Sequence, residues 1–317
     1  MSTLLSALTI YTAGLVARVF VAAQDTTTTN LPAFLAVLDA RRSDPCPRGL
    51  LTGTLHTGHL GSYSSQLTTH PPVSNHISVL DDPMMWGVLP QRYFYPPEHM
   101  RHALGSADIC FTNALSHRFF TLGQVHEIFR LHKDTRGGLW QPTMDRLPAL
   151  VTAGAWVHIF PEGRVHQKGD EGMRYFKWGV ARVILESEVC PDVVPIFLRG
   201  FEGVMPEDRV VRWRPRWGRK LEVVFGDVVG PERWEDLRGR WRGIVEVKGW
   251  EGAREAEEAK VLRGETASRV RGLVEEVRRS CGCPEEEEGA ADWRTYKKPG
   301  MGEKSGRLED GARVEDT

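Results

Sequence analysis

The sequence predicts an α/β fold of layered strands and helices, and three observations carry that expectation. From Asn75 to about residue 230, short β-branched or aromatic runs alternate with stretches of helical periodicity, the pattern of a sheet covered by helices. The composition, 41% hydrophobic and 26% charged over 317 residues, is that of a globular chain long enough to bury a sizeable core. The flanks differ in kind: the N-terminal stretch is apolar and poor in charge, and the C-terminal one is acidic with almost no apolar content.

Taken in order, Ala107–Thr112, Gln124–Phe129, Ala155–Phe160, Val193–Leu198 and Lys220–Phe225 read as strands, and Asp82–Leu89, Thr143–Thr152 and Met173–Glu186 as helices. In the last, Phe176, Val180, Val183 and Ile184 fall on one face, while Pro148 interrupts the middle helix. Ala253–Arg279 reads as an amphipathic helix with a narrow stripe of Val261, Leu262, Val270, Leu273 and Val274. Met1–Ala17 is short and rich in Ser, Thr and Gly for a spanning helix, which wants about 20 apolar residues. It also lacks the basic flank of a secretory signal. With the second apolar stretch Leu31–Leu38 and the cations Arg18, Arg41 and Arg42, it suits a segment lying in a bilayer interface or a pair of core-packing helices.

Charge and motif content exclude several classes. Lys and Arg total 41 against 42 Asp and Glu, a net charge of -1, so nothing global favours nucleic acid, and no nucleic-acid partner is expected. Five scattered cysteines without a C-x-x-C pair argue against a disulfide scaffold or a structural zinc site. The His56/His59 spacing has no thiol or carboxylate pattern beside it, so no metal is expected there. A G-x-S-x-G nucleophile elbow and a phosphate-cradling G-x-x-x-x-G-K-[ST] are both missing from the sequence. The 10 Trp are a level that goes with interfaces between apolar and wet surroundings. Arg209–Lys220 interleaves cations with Trp213 and Trp217, as a contact with anionic headgroups or a solvated loop would.

Two stretches carry chemistry. His76 stands five positions before Asp81, beside a helix start at Asp82-Pro83. A carboxylate placed there can fold back onto the imidazole and fix its tautomer. The ring can then take a proton from a substrate hydroxyl. By itself this spacing is unspecific. In the second stretch an apolar strand from Trp156 runs into Pro161-Glu162-Gly163. The sharp turn is expected to expose backbone N–H groups and one carboxylate at the strand's C-terminal end, where open α/β sheets bind ligands.

Together, N-H-x-x-x-x-D followed about eighty residues later by F-P-E-G resembles the glycerophospholipid acyltransferase family. Asp81–Pro83 with Trp86-Gly87, Ala107–Thr112, His117–Gly123 and Arg174–Gly179 extend the resemblance over roughly residues 73–230. Within the family they point to a mitochondrial phospholipid–lysophospholipid transacylase. The resemblance implies a single acyltransferase domain with a mixed central sheet flanked by helices. It makes His76 the general base and Asp81 the carboxylate that orients it. The backbone around Asn75 and the Pro161–Gly163 turn become candidate oxyanion donors. Phe160, Pro161, Glu162 and Gly163 would hold the glycerol-phosphate part of the acceptor. Arg130 matches an arginine that contacts phosphate, although Leu131 stands where glycine is usual.

The implied substrates are a phospholipid donor and a lysophospholipid acceptor, in cardiolipin remodelling, at a membrane surface and with no cofactor, metal or CoA. The implied location is the mitochondrion, on the outer and inner membranes at the intermembrane-space side. An acyl-CoA-dependent lysophospholipid acyltransferase and an inactive membrane-binding protein of the same fold are the alternatives; the oligomeric state is left open. The domain plan is an N-terminal membrane-associated segment at 1–42, then an irregular loop or gene-model insertion at 43–72, where residues 53–72 split what reads as one strand. The acyltransferase domain follows at 73–250, a C-terminal helix at 251–283, and a disordered acidic tail at 284–317.

Overall fold

A computed structural model describes residues 2–44, 46–57, 81–130, 134–163, 173–204 and 215–292. Among them seven strands form one sheet: β1 (Asp25–Thr29), β2 (Leu50–Thr57), β3 (His102–Ser106), β4 (Val125–Ile128), β5 (Trp156–Ile159), β6 (Asp192–Arg199) and β7 (Lys220–Phe225). Their order is β1-β7-β6-β2-β5-β3-β4. All neighbours are parallel except β6 and β7. The sheet is therefore mixed and flanked by helices, the fold class the sequence predicts.

Both faces are covered, which explains why β6 reads as a near-continuous apolar run. Successive residues alternate between two cores. Leu51, Val157 and Phe197 face α6 (Pro142–Thr152), α7 (Gly179–Glu186), α8 (Glu235–Glu255) and α9 (Glu257–Ser280). Leu50, Trp156 and Ile196 face α1 (Ser2–Ala22), α2 (Leu31–Ser43) and α3 (Asp81–Met85). Trp86, Trp156 and Trp234 are fully buried, so part of the tryptophan excess fills core rather than a wet boundary.

α1 packs Ile10, Ala17, Phe20 and Val21 into the second core. A Cβ on Gly87 would lie 2.3 Å from the Ala17 carbonyl oxygen, so only glycine lets α1 approach this closely. Leu4, Leu8, Leu15 and Val19 on the other face are exposed. Among the described residues α1 is the helix long and apolar enough to cross a membrane, with a third of its most apolar window buried inside the protein. One face of α1 is thus core, as the core-packing reading expects, and the other is an apolar surface.

Several expected boundaries move. Ala107–Thr112 is not a strand: β3 ends at Ser106, and Ala107–Cys110 form a helical turn, α4. Ser106 Oγ donates to Asp108 at 2.8 Å, a local bond that competes with strand pairing. The expected helix Met173–Glu186 begins only at Gly179, because the backbone of Met173 and Arg174 bonds to side chains elsewhere. The stretch 43–72, expected to be irregular, contains β2, an inner strand whose Leu50, Leu51 and Thr52 are buried. Residues 58–72 lie outside the described residues. Residues 1–42 are built into the domain, since β1 pairs with β7. The helical path of α8 breaks at Gly249 (φ 70°, ψ 169°), beside the expected boundary at 250, but Trp241 before the kink, Ala253 after it and α9 all pack into the same core. Of the tail, residues 284–292 are described, and Glu286 is ion-paired to Arg271.

Candidate active site

The parallel strands β3, β4 and β5 carry their C-terminal ends to one edge of the sheet, and the candidate residues gather there. An apolar cavity of about 610 Å³ runs from α1 and α5 (Ala114–Leu122) to that edge. Leu8 and Val16 of α1 and Phe119 and Phe120 of α5 line one part of it. Asp82, Arg101, Ser106 and Phe160 line its polar end. The volume is that of a small-molecule pocket, mostly apolar with a few convergent polar groups.

Asp82 is held from several directions. Trp86, one helical turn on, donates its indole N–H to Oδ1 at 3.0 Å. Arg101 donates Nε to the same oxygen at 3.2 Å and Nη2 to Oδ2. Burial pushes the carboxyl up, but the charges of Arg101 and His158 and the bonds donated by Trp86 and Arg101 outweigh it, and Asp82 titrates below the ordinary carboxylate range.

His158 Nε2 stands 4.0 Å from Asp82 Oδ1. Its Nδ1 lies 2.8 Å from Thr52 Oγ1, which also accepts the Trp156 indole N–H at 3.1 Å. Burial lowers the imidazole to about 4, so the ring is neutral at neutral pH. Edge-to-face aromatic contacts continue from Trp86 to His158 (5.1 Å) and from His158 to Phe160 (4.7 Å). Asp82, Arg101, Thr52 and His158 were not among the sequence-derived site residues. The legible signal was a polar residue inside an apolar run, Thr52 after Leu50-Leu51 and His158 between Val157 and Ile159.

The Phe160–Gly163 turn closes with the Gly163 N–H donating to the Phe160 carbonyl at 3.0 Å, and Lys177 N–H donates to the Pro161 carbonyl at 2.8 Å. Gly163 has φ +64°. A Cβ there would come within 2.9 Å of the outer end of the Lys177 side chain, which can move aside, so it is the backbone conformation that calls for glycine. Glu162 corrects an expectation. Its carboxylate is not exposed but buried, with Oε2 accepting the Arg174 N–H at 3.1 Å. Burial raises its pKa to about 8 against the opposing pull of Arg174 and Arg271. The turn faces the cavity through Phe160, while Glu162 anchors it from behind.

Arg130 follows β4 and is fixed by a bidentate pair with Asp108, Nε to Oδ1 at 3.0 Å and Nη2 to Oδ2. Asp108 in turn accepts from Ser106, a cavity residue. Arg130 thus sits at the edge where β3 and β4 end. Asn75 and His76 lie outside the described residues. So do Leu131 and residues 205–214, which hold the first half of the stretch that interleaves cations with tryptophan. Asp81 opens α3, and its side chain is likewise outside the described set. Among the described residues no group of three or more His, Cys, Asp or Glu could hold a metal ion.

Residues 72–199 match the Acyltransferase family. The chain is 40% identical over 159 residues to Taffazin of Dictyostelium discoideum, covering 49% of this chain and 53% of that protein. It is 32% identical over 249 residues to Tafazzin of Saccharomyces cerevisiae, 65% of each. It is 40% identical over 160 residues to N-acylphosphatidylethanolamine synthase of Arabidopsis thaliana, 50% of this chain and 54% of that protein. The chain spans between 53% and 65% of the length of these relatives. Residues 72–199 thus match an acyltransferase domain, and the chain is similar to the tafazzins over part of its length.

Proposed function

We propose that the protein moves a fatty acyl chain from a phospholipid to the free hydroxyl of a lysophospholipid without CoA, with His76 as general base and Asp81 orienting it. The observation that carries this reading is the apolar cavity that joins α1 to the polar residues at the Phe160 turn. Such a cavity suits an acyl chain whose ester lies at the polar end. Exposed Leu8, Val16 and Phe119 border it, and a bilayer against α1 would deliver the chain directly from lipid.

In the proposed step the acceptor hydroxyl gives its proton to the His76 imidazole while its oxygen attacks the ester carbonyl carbon. The tetrahedral intermediate collapses by breaking the bond to the donor glycerol oxygen. That oxygen takes the proton back from His76 and leaves a new lysophospholipid, so nothing else is consumed. Pro161 has no N–H and the Gly163 N–H closes the turn. The Glu162 N–H is therefore the turn's candidate donor to the oxyanion, alongside the backbone near Asn75. Arg130 is the proposed contact for the acceptor phosphate. By the same reading, the enzyme remodels cardiolipin on mitochondrial membranes, outer and inner, at the intermembrane-space side.

The test is acyl exchange between phospholipid and lysophospholipid, cardiolipin included, with purified protein and no CoA. Transfer by the wild type, lowered by about a hundredfold or more in His76→Ala and Asp81→Ala with vesicle binding retained, supports the reading. Transfer only with acyl-CoA, or to phosphatidylethanolamine amine rather than to a hydroxyl, rejects it.

A further inference from the structure

Met173–Trp178 has no regular secondary structure, yet Met173, Arg174, Tyr175 and Phe176 are buried. A buried irregular segment must find a partner for every backbone N–H and C=O. For Met173 and Arg174 all four are met by side chains from distant parts of the chain. Glu286 Oε1 accepts the Met173 N–H at 2.8 Å, and Arg271 Nη2 donates to the Met173 carbonyl at 2.9 Å. Arg271 Nε donates to the Arg174 carbonyl at 2.9 Å, and Glu162 Oε2 accepts the Arg174 N–H.

The two outer members are themselves joined, Arg271 Nη2 reaching both carboxylate oxygens of Glu286 at 2.8 and 2.7 Å. Arg278 of α9 donates to the Pro284 carbonyl and so fixes the start of the segment that carries Glu286. At the other end, Lys177 ties the same stretch to the Pro161 carbonyl. A continuous set of bonds therefore runs from α9 and residue 286 through Met173 and Arg174 to the Phe160–Gly163 turn.

We propose that Arg271 and Glu286 are positioning residues that set this turn for the acceptor lysophospholipid. Neither lines the cavity, so they act on substrate only through Glu162 and the turn. An apolar pair could pack α9 equally well but would leave the Met173 N–H and carbonyl and the Arg174 carbonyl without these bonds, which is costly in a buried segment. The guanidinium is suited to the task because its fork serves two carbonyls and a carboxylate at once, which an ammonium cannot do in this geometry. The proposal rests on the acyl-transfer reading and extends the acceptor site to the segment after α9.

The experiment compares full-length wild type, Glu286→Gln, Glu286→Asp and Arg271→Lys in CoA-free transfer, using phosphatidylcholine vesicles with lysophosphatidylcholine as acceptor. Amide hydrogen exchange of residues 160–163 and 173–178 is followed in the same proteins. In Glu286→Gln and Arg271→Lys the acceptor KM rises on the order of tenfold, the donor KM stays at its wild-type value, and exchange in both segments speeds up. Glu286→Asp recovers part of the loss. If Arg271→Lys fails to fold, Glu286→Gln decides. A wild-type acceptor KM in Glu286→Gln overturns the proposal, whether kcat is unchanged or falls together with the melting temperature. Absence of transfer by the wild type instead sinks the acyl-transfer reading and the proposal with it.

Discussion

Thr52 and His158 are register partners on the adjacent strands β2 and β5, and their side chains meet at 2.8 Å in the protein interior. The bond fastens the two central strands on the side that leads to Asp82 and Phe160, and it encloses an imidazole that burial keeps neutral. His102 and His126 form a second, half-buried pair on β3 and β4, Nδ1 to Nε2 at 2.9 Å. Burial, the neighbouring His126 and Arg101 lower His102 to about 4 as well.

Acid should therefore weaken the fold in a defined window. An imidazole whose folded pKa is depressed binds its proton more readily in the unfolded chain. The stability these two rings contribute is thus intact above about 6.5 and is lost as pH falls toward about 4. Each ring contributes up to about 3 kcal/mol over that range. Thermal melts between pH 7 and 4.5 measure it, and a flat profile would exclude neutral buried imidazoles.

Glu162 tilts the alkaline side the other way. With a folded pKa of about 8 its carboxyl holds a proton that the unfolded chain releases above about 4.5, so stability declines as pH rises from there to about 8. Glu162→Gln keeps an oxygen for the Arg174 N–H and removes the titration. Its melting temperature should hold steady between pH 6.5 and 8.5 while that of the wild type drops.

Asp82→Asn takes away the partner of Arg101, whose side chain is 7% exposed. An uncompensated buried guanidinium costs about 3 kcal/mol. Chemical denaturation of the variant should show a loss of that order, and removing both partners by Asp82→Asn with Arg101→Met should cost less than Asp82→Asn alone.

Gly163→Ala forces a side chain onto a positive φ and against Lys177. The backbone term alone is about 1–2 kcal/mol. The expected result is a modest fall in melting temperature with a larger fall in transfer rate, read in the exchange assay; unaltered kinetics would show that the turn does not shape the site.

Leu4 and Val19 are 76% and 63% exposed on the outward face of α1. Leu4→Glu with Val19→Glu should weaken vesicle association by more than about tenfold, since each side chain forfeits its apolar burial. The melting temperature in detergent should not move. Cosedimentation equal to wild type would rule out this face as the membrane contact.

Local pattern was enough for much of this protein. The run Lys220–Phe225 is β7 as the sequence reads it, and the strands around Trp156 and Val193 lie within a residue or two of their expected ends. The F-P-E-G block and its glycine could be placed on a strand-ending turn because period and turn chemistry are properties of neighbouring residues. Partners distant in sequence were another matter. Only the packed sheet brings Thr52 to His158, Arg101 to Asp82, and Glu286 to Met173. It also decides that Glu162 turns inward, where the Arg174 N–H bonds it and the Arg271 charge of α9 stands near. Which residues resemble a catalytic site was written in the chain; which of their polar atoms are occupied, and by what, depended on tertiary contacts such as Arg174 to Glu162 and Arg130 to Asp108, which the packed sheet and its helices set.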